Sequence, residues 1–183
     1  MTINRLGAGV FTIEDFLSPL ECAQFIAASE AMGYAEAAIR TDDGDQLYKD
    51  VRNNDRIIVD DRELAARLFQ RAQPLLPAQL DGWQISGFNA RFRYYRYEHQ
   101  QQFAWHQDGT VRLSEHEESF LTFMIYLNDQ FEGGSTDFGW ERVRPKQRMA
   151  LVFPHRLRHQ GACVRKGVKY VLRTDVYYAH QAD

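Results

Sequence analysis

The spacing of apolar positions changes partway along the chain. In "LSPLECAQFIAASEAMG" (17–33) Leu20, Ala23, Ile26 and Ala27 recur at helical spacing. Ser18 can cap that helix and Glu21 completes a capping box with it. Pro19 suits the first helical position and Gly33 can end it. A second helix is expected over "DRELAARLFQRAQ", where Leu64, Leu68 and Phe69 form the apolar face and Pro74 and Pro77 break the pattern. After Gly82 the texture becomes β-branched and aromatic, in "ISGFNARFRYYRY", "SFLTFMIYLN", "MALVFP" and "KYVLRTDVYY". The turns "EGGST" and "KG" separate these runs. The order predicts a mainly β (α+β) protein: a sandwich or barrel with helices on one outer face.

In "KYVLRTDVYY" the two-residue period sorts the side chains. Lys169, Val171, Arg173, Asp175 and Tyr177 share one face; Tyr170, Leu172, Val176 and Tyr178 share the other. The second face suits packing under the helices. The first places cations and a carboxylate inside the barrel, where they need partners.

At 183 residues the chain is expected to form one domain, with 1–82 mostly helical support and 83–180 the catalytic core. The N-terminus lacks a basic start followed by an apolar run, and no window suits a membrane span. Cys22 and Cys163 are far apart and without metal-type spacing, which fits a reducing cytoplasm. The net charge of -3 argues against a duplex-binding protein, so no nucleic acid and no membrane partner is expected. From Arg142 to Thr174 there are ten Lys or Arg and no Asp or Glu. That stretch is either a solvated basic face or the rim of an anion site.

The candidate chemistry begins at "FAWHQDGT". On an extended strand exit His106 and Asp108 point to one side and can meet one cation, although H-x-D alone is also an ordinary polar turn. A third ligand is offered by "PHRLRHQG", as His155 or His159. Two His and one carboxylate hold one face of Fe(II) and leave positions open for a cosubstrate. A cupin-type isomerase or binding module without 2-oxoglutarate is compatible with the same barrel.

"RYEHQQQFAWHQDG", "FLTFMIYLND", "EGGSTDF", "MALVFPHRLRHQG" and "GVKYVLRTDVYY", in that order, resemble the Fe(II)- and 2-oxoglutarate-dependent oxygenases of the prolyl 4-hydroxylase-like branch, over roughly residues 88 to 178. The resemblance implies a jelly-roll (double-stranded β-helix) core, a dioxygenase that hydroxylates a C–H bond, and O2 as cosubstrate, with ascorbate as a candidate reductant. It implies His106, Asp108 and His159 as ligands, because a basic residue follows the distal His by about ten positions and Lys169 has that spacing from His159. His155 would either support the ligands from behind or be simply a surface residue beside Arg156 and Arg158, and the surface reading is the expected one. Lys169 would hold the far carboxylate of 2-oxoglutarate, with Arg173 as the alternative anchor. Tyr126, Tyr97 and Thr136 match positions near that pocket. Two positions depart from the prolyl hydroxylases, which commonly carry Trp where Asp175 stands and Tyr where Phe103 stands. Both fall on the substrate side, so peptidyl proline, a free amino acid and another small molecule all stay open as substrate.

Overall fold

The computed structural model describes residues 1–37, 39–41, 44–46 and 51–180, with backbone only for 39–41 and 44–46. Its main elements are β1 (Thr2–Gly7), β2 (Val10–Glu14), α1 (Pro19–Met32), β3 (Asp55–Asp60), α2 (Arg62–Ala72), β4 (Trp83–Phe88), β5 (Arg91–Tyr97), β6 (Phe103–His106), β7 (Glu117–Tyr126), β8 (Thr136–Asp137), β9 (Ala150–Pro154), β10 (His159–Gly161) and β11 (Lys169–Ala179). The larger sheet runs β1-β2-β9-β7-β11-β5-β3 and ends on the short strand Ala35–Glu36. The smaller sheet runs β6-β10-β8 and ends on Arg142–Val143. Together they form the jelly-roll core. Every strand pairing is antiparallel, so hairpins and crossing connections suffice to close it.

The helices begin as their sequences require. Ser18 Oγ accepts from the Glu21 amide at 3.1 Å and Glu21 accepts from the Ser18 amide at 2.8 Å, a reciprocal cap. Asp61 accepts from the Leu64 amide at the start of α2. Arg71 on α2 then grips Glu21 on α1 at 2.7 Å, tying the helices together.

The apolar face expected for α1 is corrected by the structure. Leu20, Ala23 and Ala27 are exposed; Cys22 and Ser29 are buried, with Phe25 and Ile26 packed against the core. Helical spacing admits more than one stripe, and the sheet selected the one carrying Phe25. Residues 1–82 are also less helical than expected. β1, β2 and β3 lie there, and β2 and β3 extend the large sheet through β9 and β5. Both pairings join segments far apart in sequence, which a local apolar pattern does not report.

The strand parity expected for β11 holds. Leu172, Val176 and Tyr178 join Leu64, Leu68 and Phe16 in the cluster beneath the helices. Each such buried side chain contributes roughly 1.5–3 kcal/mol. On the opposite face Val171 packs with Tyr95, Tyr97, Met124, Tyr126, Leu151 and Phe153 between the two sheets. The functional site lies in that second layer.

Candidate metal centre and cosubstrate pocket

His106 ends β6 and His159 opens β10, and the two are paired across the small sheet. Their ring centroids are 4.3 Å apart. Asp108 follows on the turn after β6, and its amide donates to the His155 carbonyl at 3.0 Å. Gln107 donates to the Arg156 carbonyl, which pins the same turn from the other side. Candidate ligand atoms of His106, Asp108 and His159 all lie within 4.8 Å of one another.

The protonation pattern fits a cation. Nδ1 of His106 lies 2.7 Å from the Ala104 carbonyl, and Nδ1 of His159 lies 2.9 Å from the Leu157 carbonyl. A carbonyl only accepts, so each Nδ1 carries a hydrogen, and in the neutral ring that leaves Nε2 bare. Those Nε2 atoms face Asp108 at 3.6 and 3.7 Å. Burial lowers the His159 pKa to about 4, so its ring is neutral at pH 7. Burial opposes ionisation of Asp108, but the Arg173 guanidinium beside it outweighs that and holds the carboxyl well below its usual range. Two bare imidazole nitrogens and one carboxylate, converging, are a facial Fe(II) donor set.

Arg173 and Lys169 behave differently. Arg173 Nη1 sits 2.8 Å from Asp108 Oδ1, and Nη2 sits 3.3 Å from Asp175 Oδ1. Asp175 also takes Arg93 at 3.0 Å and Asn89 at 3.1 Å. Arg173 and Arg93 stand opposite each other on β11 and β5, and the two aspartates offset that like-charge pair. Asp175 is therefore fully enclosed by its partners rather than turned towards a substrate. Lys169, by contrast, is 2 % exposed and has no carboxylate partner within salt-bridge distance among the described residues. Its Nζ donates to the Gly134 carbonyl at 2.6 Å and lies 5.0 and 5.5 Å from the Tyr97 and Tyr126 ring centroids. Burial pulls its pKa down to about 7, weakly opposed by Asp137.

The double glycine of "EGGST" makes that contact. Gly134 has φ +65°, and a Cβ there would meet Phe131 at 2.9 Å and the Lys169 side chain at 3.2 Å. Thr136, two residues on, shares a 2.8 Å hydrogen bond with the Tyr126 hydroxyl. Tyr97, Thr136, Lys169, Arg173, Phe103 and the triad all line one cavity. Tyr126 borders it through Thr136. The Phe103 ring stacks on His106 at 3.5 Å and covers that ligand. A wider groove between Ala8, Pro77, Leu80 and Phe120 lies behind His155, apart from the triad.

His155 is not a surface residue. It is 4 % exposed, with Nδ1 2.9 Å from Thr122 Oγ1 and Nε2 2.9 Å from Ser119 Oγ. Thr122 in turn donates to Asp108 Oδ2 at 2.6 Å. The signal was present in "LVFPH": alternation places His155 on the face of Leu151 and Phe153, which points between the sheets. The neighbouring arginines masked it. Thr122 and Arg93 were likewise missed, although parity puts Thr122 with Met124 and Tyr126, and Arg93 with Tyr95 and Tyr97. Arg52 carried no sequence signal. It is 5 % exposed and lies 4.4 Å from the Phe103 centroid and 4.6 Å from that of Tyr95.

Comparison with known proteins agrees with this geometry. The family model described as the 2OG-Fe(II) oxygenase superfamily matches residues 92–175, which include the triad and Lys169. The fold is similar to the viral collagen prolyl hydroxylase of Paramecium Bursaria Chlorella virus-1 in its 2OG complex, at 19% identity and TM-score 0.68, over 96% of this chain and 98% of that one. It is also similar to a Pseudomonas putida prolyl-4-hydroxylase, at 15% identity and TM-score 0.67, over 95% and 94%. A Trichoplax adhaerens prolyl hydroxylase, solved with a hypoxia inducible factor peptide fragment, gives 16% identity and TM-score 0.69 over 94% and 84%. No curated protein matches the sequence. The fold is prolyl 4-hydroxylase-like, and the candidate donor set His106, Asp108 and His159 lies within the part of the chain that is similar to the 2OG-Fe(II) oxygenase superfamily. No helix among the described residues is long and apolar enough to cross a membrane.

Proposed function

We propose that the protein hydroxylates a C–H bond of a prolyl-type substrate, with Fe(II) on His106, Asp108 and His159 and with Lys169 as the anchor of 2-oxoglutarate. The observation that carries the reading is Lys169: a buried ammonium that spends one hydrogen bond on a carbonyl, in the same cavity as the triad. A carboxylate arriving there gains charge-assisted hydrogen bonds and relieves an unpaired buried cation. Arg173 is the weaker anchor, since Asp108 and Asp175 already occupy it.

When bound, the iron and 2-oxoglutarate supply the oxidising chemistry, releasing succinate and CO2 as O2 is consumed. The chain's residues do the rest. His106 and His159 offer bare nitrogens because their Nδ1 hydrogens are spent on carbonyls. Arg173 and Thr122 hold the two oxygens of Asp108. Tyr126 and Thr136 fix each other and shape the cosubstrate end. Phe103 shields His106 from water. Similarity to a viral collagen prolyl hydroxylase and to a prolyl hydroxylase solved with a hypoxia inducible factor peptide fragment supports a peptide substrate.

A second reading, a small substrate with an anionic group, is favoured by Arg52. Its Nε donates to Asn54, while its Nη2 is buried with no hydrogen-bond partner among the described residues. A carboxylate beside Phe103 would answer that charge. A cytoplasmic setting accords with either reading.

The test has two parts. Anaerobic Fe(II) and 2-oxoglutarate should give a weak visible charge-transfer band that His106→Ala abolishes; bound metal without the band overturns the reading. Prolyl peptides and free amino acids, screened for a gain of one oxygen matched to succinate, decide between the substrates.

A further inference from the structure

Asp108 is held by a hydrogen-bond relay whose directions are all determined. Thr122 Oγ1 is 2.6 Å from Asp108 Oδ2. An ionised carboxylate only accepts, so the single hydroxyl hydrogen of Thr122 is committed to Asp108. Thr122 must then accept from His155, 2.9 Å away, which puts the ring hydrogen on Nδ1. With Nδ1 protonated, the neutral ring offers a bare Nε2, and Ser119 Oγ at 2.9 Å donates to it. Ser119 Oγ in turn accepts from the Val111 amide at 2.9 Å.

Both ends of this relay lie on the ligand loop, since Val111 is three residues after Asp108. The loop is tied a third time, because the Asp108 amide donates to the carbonyl of His155 itself. His155 thus touches Asp108 through its main chain and, by way of Thr122, through its side chain. Its supports are rigid: Ser119 and Thr122 belong to β7, and His155 directly follows β9, which pairs with β7. Its amide also donates to the Phe120 carbonyl at 3.0 Å.

We infer that His155, as its Nδ1–H tautomer, is a positioning residue that sets the Asp108 carboxylate through Thr122, so that the metal site is formed before metal arrives. The inference rests on the triad reading above. Hydrogen-bond partners of metal ligands typically contribute on the order of 10–100-fold in metal affinity, and Thr122 and His155 carry that contribution at Asp108 Oδ2.

The experiment titrates the metal-free full chain with Co(II), reading the d–d absorption bands, beside the melting temperature of the metal-free protein. Thr122→Val and His155→Phe keep volume and remove the relay. Each should weaken Co(II) binding on the order of 10–100-fold and change the band pattern. His155→Asn keeps a donor near the Nδ1 position and should restore affinity to within a few fold of wild type. A purely structural role would lower the melting temperature without this rescue. If His155→Phe does not fold, Thr122→Val and Ser119→Ala carry the test from the two neighbouring links. Wild-type protein that takes no Co(II) overturns the triad and the relay together. Wild-type binding matched by unaltered Thr122→Val, or His155→Asn no better than His155→Phe, overturns the relay alone.

Discussion

On one face of β11, Leu172, Val176 and Tyr178 pack among helix and sheet side chains; on the other, Lys169, Arg173 and Asp175 face the metal cavity or the charges beside it. Burial is similar on both faces, and all six of these residues are under a tenth exposed. The forces differ. The apolar face is stabilised by removed area, which is non-directional and tolerates shape-conserving change. The polar face is held by a few specific distances, and its ions have lost their hydration. It is organised around chemistry, with Arg173 bound on both sides and Lys169 left open.

Four measurements break or sharpen that contrast. Asp175→Ala leaves Arg93 and Arg173 without their shared carboxylate and should cost about 3–5 kcal/mol in chemical denaturation. It should also weaken metal binding, because Arg173 then sits differently on Asp108. Leu172→Ala should cost about 2–5 kcal/mol with metal and 2-oxoglutarate affinity nearly unchanged. Equal damage to cofactor binding from both variants would erase the distinction between the faces.

Lys169→Met separates stability from function. Loss of a charge-assisted hydrogen bond of about 1.5–3 kcal/mol should raise the 2-oxoglutarate KM on the order of 10–100-fold. Removing an unpaired buried ammonium should stabilise the cosubstrate-free protein by about 0.5–2 kcal/mol. An unchanged KM would move the anchor to Arg173.

The smallest effect is in pH. The Lys169 pKa falls from 10.5 in the unfolded chain to about 7 when folded. Between those values the unfolded chain binds the extra proton, so this group's penalty on the fold grows as pH falls from 10.5 to 7 and is constant below. Lys169→Met should flatten that slope in pH-dependent denaturation. In the wild type, 2-oxoglutarate should bind with proton uptake and lose affinity as pH rises above about 7. Calorimetry in two buffers of different ionisation enthalpy measures that uptake.

Much of the site was legible in one dimension. The faces of β11 follow from a two-residue period, and the period survives any tertiary arrangement. His106 and Asp108 were readable as a pair for the same reason. His159 and Lys169 were readable through the spacing of a resemblance. His155 was misjudged because its local neighbours, Arg156 and Arg158, are what solvent usually covers. Its burial is decided by β9 pairing with β7 and by the loop of Asp108 closing over it. The α1 face was misjudged because Leu20 and Phe25 are both apolar, and only contact with the sheet ranks them.

The sequence by itself determined the alternation of β11, both helix starts and the candidate ligands His106, Asp108 and His159. These depend on backbone geometry and on residues near one another in the chain. The tertiary structure alone decided that β2 and β3 join the large sheet. It alone made Arg173 a partner of Asp108 and left Lys169 with a carbonyl but no carboxylate among the described residues. It alone made His155 part of the relay to Asp108. Each of these depends on which distant strands hydrogen-bond and in what register, and register is a property of the assembled sheets rather than of any one segment.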